Sequence, residues 1–270
     1  MRTNTSLLSL SFVLIFSFAF LSACEKESEL KVGVTKVISI TPNGCVASLW
    51  ARRTSEETVQ KRADKHINGD ITPSQINTEL MKAVVRNQPN KVESLLGAGV
   101  DSEETNERGC TALIWATALN RHEISVKLIN AGADVSQADA TGKTPLMMGS
   151  KAGNQEIVRQ LVVNGANVNT AQIGGINEIG QTALHHAVSR PRNLEVIHFL
   201  IEKGAEVDAK NEHGRTPLIN AAGSGNLENV KLLVELGADI TLKTDRGETA
   251  LARAKARNKA DVVVYLESLK

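Results

Sequence analysis

From residue 78 onward the apolar positions keep one rhythm. In residues 144–166, TPLMMGSKAGNQEIVRQLVVNGA, a first apolar run is followed by Ile157, Val158, Leu161 and Val162, which share one face of a 3.6-residue period. The pattern predicts a helix, a turn, a second helix and an extended loop to the next unit. Versions of this stretch recur from Thr111, Thr182 and Thr216. Leu80, Leu113, Leu146, Leu184, Leu218 and Leu251 hold one position, at spacings of 33, 33, 38, 34 and 33. Gly99, Gly132, Gly165, Gly204 and Gly237 hold another, at 33, 33, 39 and 33. The Thr residues at 111, 144, 182, 216 and 249 stand where an N-cap belongs, and Pro145 and Pro217 follow at the first helical position. The glycines are C-terminal stops able to turn left-handed. One such unit cannot bury both faces of its helices, so neighbours must stack.

A fixed period of 33 with T-P-L-x-x-A near its front is similar to ankyrin repeats. The resemblance covers residues 78–270. It implies an all-α, right-handed solenoid of six units, with a short irregular extension before it. Residues 76–270 would be the repeat domain. Residues 78–101 read as an N-terminal cap that lacks the Thr-Pro-Leu start and carries polar Lys82, Arg86 and Lys91. Four internal repeats follow, at 111–143, 144–181, 182–215 and 216–248. The truncated last unit bears Arg253, Lys255, Arg257 and Lys259 on its first helix, read as a solvated capping face. The family also implies a protein-binding role, with extended loops and first helices forming a concave face for the partner. Here that face would carry Ala140, Thr141, Lys143, Lys151, Glu178, Ile179, Glu212, His213, Arg215, Asp245 and Arg246. Their mixed charge favours a polar protein surface over a polyanion.

Two irregularities break the period. One extra residue falls near Arg190-Pro191-Arg192, between the helices of the third internal repeat. Five extra residues, Gln172, Ile173, Gly174, Gly175 and Ile176, lengthen the loop before that repeat. Insertions in repeat proteins collect in loops, often on the binding face. Ile173, Ile176 and Ile179 are apolar where a solvated loop carries polar groups, which places the binding centre here. The alternative is that these isoleucines fold back onto their own repeats.

Residues 1–23 read as a signal peptide, with Arg2 ahead of an uncharged apolar run over 7–21 that is short for a membrane span. The run ends Leu21-Ser22-Ala23-Cys24, which resembles a bacterial lipobox. That resemblance implies cleavage before Cys24, lipidation of its thiol and amine, and firm anchoring in the cell envelope. Glu25 lacks the Asp that favours inner-membrane retention in this family's sorting pattern, so the outer membrane is expected. Residues 24–75 form a tether and extension. VGVTKVISITPNG suggests a strand ending in a turn at Pro42-Asn43-Gly44, and VASLWARRTSEETVQKRADKHI has helical composition. GCVASLWA from Gly44 matches GCTALIWA from Gly109 at five of eight positions, but no Leu-Leu-x-x-Gly-Ala helix follows, so a poorly packed extension is favoured over a decayed repeat.

Composition narrows the chemistry. Formal charge is +1 and comes from Arg2, so nothing asks for nucleic acid. Aromatics are 3%, which suits small-residue helix packing. Gly142-Lys143-Thr144 lacks the glycine and strand of a phosphate loop, and Thr144 is already explained as a cap. His185 and His186 point about 100° apart on a helix and do not chelate together. His185 falls where ankyrin repeats often carry a structural histidine. Gly223-Ser224-Gly225 has no strand before it. No enzyme, metal site or cofactor is expected, and the chain is expected to be monomeric. Cys45 and Cys110 could pair after export, Cys110 lying at a reachable loop tip. A decayed repeat two units away would hold them some 20 Å apart at roughly 10 Å per layer, against the roughly 7 Å a bridge allows, so the two ideas exclude each other. Two other functions stay open: an enzyme or small-molecule binder acting on the cell wall through residues 25–75, and a structural spacer, which would not need the insertion.

Overall fold

A computed structural model describes residues 37–40, 46–49, 78–175 and 178–269. Residues 1–23, read above as a signal peptide, lie outside the described residues, as do Cys24, Cys45, Ile176 and most of residues 25–75. The chain divides into an N-terminal unit, residues 1–54, and a repeat unit, residues 55–270.

The N-terminal unit contains β1 (Val37–Ile40) and β2 (Val46–Leu49), paired antiparallel with Val37 opposite Leu49 and Ile40 opposite Val46. The strand expected in VISI is present. Its partner corrects one reading, since VASL is not the start of a helix, and it weighs further against the decayed repeat. Main-chain pairing with VISI holds these four residues extended. The extension is thus not wholly irregular.

Among the described residues twelve helices follow in pairs. They are α1 (Glu79–Val85) and α2 (Pro89–Gly97), α3 (Ala112–Ala118) and α4 (His122–Asn130), and α5 (Pro145–Ala152) and α6 (Gln155–Val163). Then come α7 (Ala183–Val188) and α8 (Leu194–Glu202), α9 (Pro217–Ser224) and α10 (Leu227–Glu235), and α11 (Ala250–Ala256) and α12 (Ala260–Glu267). First helices stack on first helices and second on second, giving two rows and the helical solenoid the period predicts. Thr111, Thr144, Thr216 and Thr249, and Thr78 besides, each accept the amide three residues on, at 3.0 to 3.3 Å, as N-caps do, while the hydroxyl of the fifth expected cap, Thr182, lies 3.0 Å from His185 Nδ1. The closing glycines at 99, 132, 165, 204 and 237 have φ between 81° and 97°, where a Cβ is strained.

The repeated leucines at 80, 113, 146, 184 and 218 are buried, as are Trp115, Met147 and Met148. Polar clamps cross between units. The buried Asn193 amide donates to the Ser150 and Ala187 carbonyls, both at 2.9 Å, and Asn229 donates to Val188 at 3.1 Å and Arg190 at 2.7 Å. They satisfy carbonyls at the ends of first helices. Asn193 precedes α8, yet it makes no cap bond there.

Candidate functional site

The loop tips form a ladder, one main-chain bond per neighbour. Ala140 donates to Arg108 at 2.8 Å, Gly174 to Thr141 at 2.8 Å, Glu212 to Ile179 at 3.0 Å and Asp245 to His213 at 3.1 Å. Each ordinary tip is closed by one residue. Asn106, Asp139, Asn211 and Thr244 donate their amides to the carbonyl four residues on and take that residue's amide on their side-chain oxygen. Exposed Ala140, Glu212, Asp245 and Arg246 and partly exposed Thr141, His213 and Arg215 therefore sit in one row. The Thr141 hydroxyl is turned inward, donating to Asp139 at 2.7 Å, and the His213 ring lies 3.3 Å from Glu212.

In the lengthened loop the closing role falls to Gln172. Its amide donates to Gln181 at 2.9 Å and its carbonyl accepts from Gly180 at 2.7 Å, just as Asn211 relates to Arg215 and Gly214. Gln172 is 1% exposed, so it belongs to the framework and not to a partner surface. The five added residues are therefore 173–177, one place later than spacing alone suggests. Gly174 and Gly175 carry the turn, Gly175 at φ 95°. Ile173 crosses the Gly142 turn, where a Cβ would meet its Cγ1 at 2.6 Å, yet its side chain remains 76% exposed. Ile179 is 39% exposed. Neither has folded into the core.

Lys143 is also corrected: it is 3% exposed and holds Glu178 at 2.8 Å. Burial works to raise the Glu178 carboxyl. The Lys143 hydrogen bond and charge, helped by Gln172, outweigh it and hold the group below its ordinary value. Gln172 Nε2 donates to Glu178 at 3.3 Å and to the Gly174 carbonyl at 2.7 Å, and its Oε1 lies 3.1 Å from His186 Nε2. A chain of contacts thus runs from the insert into α7. Burial pushes His186 down to about 3, with the Lys151 charge adding to it. Neutral His186 donates from Nε2. His185 is pushed down by burial to about 4, against the pull of the Arg215 carbonyl 3.0 Å from its Nε2. Its Nδ1 accepts the Thr182 amide at 3.2 Å. His185 is the structural histidine expected, tying α7 to the next loop.

Beside this chain, a groove crosses the first-helix row. Its walls include Lys151, Ser189, Asn220, Arg253, Arg257 and Lys259. Lys151 is half-buried, and burial and the Lys143 charge lower its pKa. The basic residues of the last unit are thus not all a solvated cap. Lys255 does face away and pairs with Glu267 at 2.6 Å. Sequence reading missed this grouping because its members come from different repeats.

Cys110 is a free thiol, 3% exposed, pushed up to about 12 by burial and the Asp139 charge. It is not the reachable loop tip expected, and Cys45 lies outside the described residues. Among the described residues no three potential ligands gather to hold a metal, and no helix is long and apolar enough to cross a membrane.

A family model described as ankyrin repeats (3 copies) matches residues 80–172, 171–244 and 207–268. No curated protein matches the chain. The matched residues carry the caps, the two helix rows and the ladder of tips, and the chain belongs to the ankyrin repeat family.

Proposed function

We propose that this chain is a lipid-anchored scaffold of the bacterial cell envelope that holds a protein partner on its loop tips and first helices. Ankyrin repeats make it a protein–protein interaction scaffold, a module that is typically not an enzyme. The observation that carries the finer reading is the insert. Five residues are added without disturbing the ladder, and they display Ile173, 76% exposed, among polar neighbours. An apolar side chain kept in water, on an insert outside the Gln172 closure of the loop, fits a contact made with something else. The lipid anchor rests on the Leu-Ser-Ala-Cys motif, and the lean toward the outer membrane rests on Glu25.

The test removes residues 173–177 and keeps Gln172, which rebuilds Gln-Glu-Ile-Gly in the pattern of Asn211-Glu212-His213-Gly214. The deleted protein should fold and lose the partner recovered from crosslinked cells. If it folds and recovers as much partner as the parent, the insert is not the binding centre, and the tips at Thr141 and Arg215 become the next candidates.

A further inference from the structure

The groove on the first-helix row measures about 470 Å³ and draws on four successive units. Lys151 comes from α5, Arg253 from α11, and Arg257 and Lys259 from the turn between α11 and α12. Glu178 is the sole carboxylate among the lining residues, and Lys143 already holds it. Arg253 meets Glu248 at 3.1 Å. Among the described residues, no carboxylate lies within ion-pair distance of Lys151, Arg257 or Lys259. The α9 glycines bring the cations in. A Cβ at Gly223 would meet Arg253 Cγ at 3.0 Å, and one at Gly225 would meet Lys259 Cδ at 2.7 Å. These side chains therefore lie across the end of α9.

We infer that this groove receives an extended, carboxylate-rich segment of the partner protein. The inference rests on the protein-binding reading above and adds the partner's chemistry. Unpaired cations on the walls of a cleft focus potential and reward complementary charge. Lys151 is half-buried beside Lys143, and an incoming carboxylate would offset both the cost of burying its charge and that repulsion. The Asn220 side-chain amide has no hydrogen-bond partner among the described residues, and it offers the donor and acceptor that a peptide main chain needs. The volume is that of a small-ligand cleft, so it takes a short segment and not a folded surface. A nucleic-acid strand fits less well. The walls hold no Phe, Tyr or Trp, the His185 and His186 rings are 1% and 3% exposed and present no face for base stacking, and the net charge of the chain is only +1.

The full chain is titrated by fluorescence anisotropy against three labelled probes: a peptide of alternating Glu and Ser, its Gln-for-Glu counterpart, and single-stranded oligo-dT. The Glu peptide should bind, more weakly as salt rises, and the Gln peptide should not. Arg257→Gln with Lys259→Gln should weaken binding about tenfold, at roughly threefold per cation. Lys91→Gln, exposed on α2, should leave it unchanged. No binding of the Glu peptide, equal binding of the Gln peptide, or unchanged affinity in the double variant overturns the inference. So does tighter binding of oligo-dT that the same double variant abolishes. The double variant leaves the insert intact. Partner recovery that survives in it, and is lost on deleting 173–177, keeps the proposed function and sinks the groove alone.

Discussion

Acidification should weaken this solenoid before its carboxylates protonate, and two histidines set the size of the effect. His185 and His186 are buried and pushed from 6.5 down to about 4 and about 3. An unfolded chain takes up protons at these positions as pH falls through 6.5, while the folded chain does not until pH approaches 4 and 3. Their contribution is therefore complete above pH 6.5 and is lost progressively below it. Between pH 7 and pH 5 each site costs about 2 kcal/mol, and together they cost about 4 kcal/mol. This figure barely depends on the folded values, because both rings are still neutral at pH 5 when folded. It is a large share of the roughly 5 to 15 kcal/mol typical of a domain. Carboxylates enter mainly below about pH 5. Urea titrations of the full chain at the two pH values read the loss directly. His186→Gln cannot titrate and can still donate to Gln172, so its loss should be smaller by about 2 kcal/mol. His185→Gln should behave alike. A parent chain whose stability changes by less than about 1 kcal/mol over this range, or variants that keep the parent's full pH dependence, would refute the reasoning.

Other substitutions test separate parts of the account. Asn193→Ala strips two carbonyls of a donor held at 2.9 Å and should cost about 1 to 3 kcal/mol in the same urea titration. Leu161→Ala empties a fully buried site and should cost about 2 to 5 kcal/mol. Trp115→Phe should cost less than Leu161→Ala, since the buried indole N–H has no partner to lose; its cost is read from the same midpoints. Cys24→Ser should release the protein from membranes or leave its signal attached. A Cys24→Ser protein that is cleaved and fractionates as before sinks the lipobox reading.

Much of the fold could be read because repetition averages out local ambiguity. Leucines and glycines recurring at 33 fixed the register, and the Thr caps followed from chemistry that acts over three residues. What escaped depends on contacts between distant residues. VASL becomes a strand only through VISI. Gln172 takes a place held elsewhere by Asn, Asp or Thr, so its residue type gave no hint, and the insertion was placed one residue early. Its place at a loop tip makes Lys143 a partner candidate from sequence. Its ion pair with Glu178 buries it. The groove joins Lys151 to Lys259, 108 residues apart, and no local pattern could have joined them.

The central claim is that the loop tips and first helices, not the outer helix row, hold the partner. A photo-crosslinking amino acid placed in turn at Ile173, Asn220 and Glu228 in the full chain, in intact cells, tests it most directly. Ile173 belongs to the insert, Asn220 to the groove, and Glu228 is exposed on α10 in the second row. The account predicts one adduct of the same mass from positions 173 and 220, and none from 228. An adduct from 228 alone, or equally from all three positions, would contradict it.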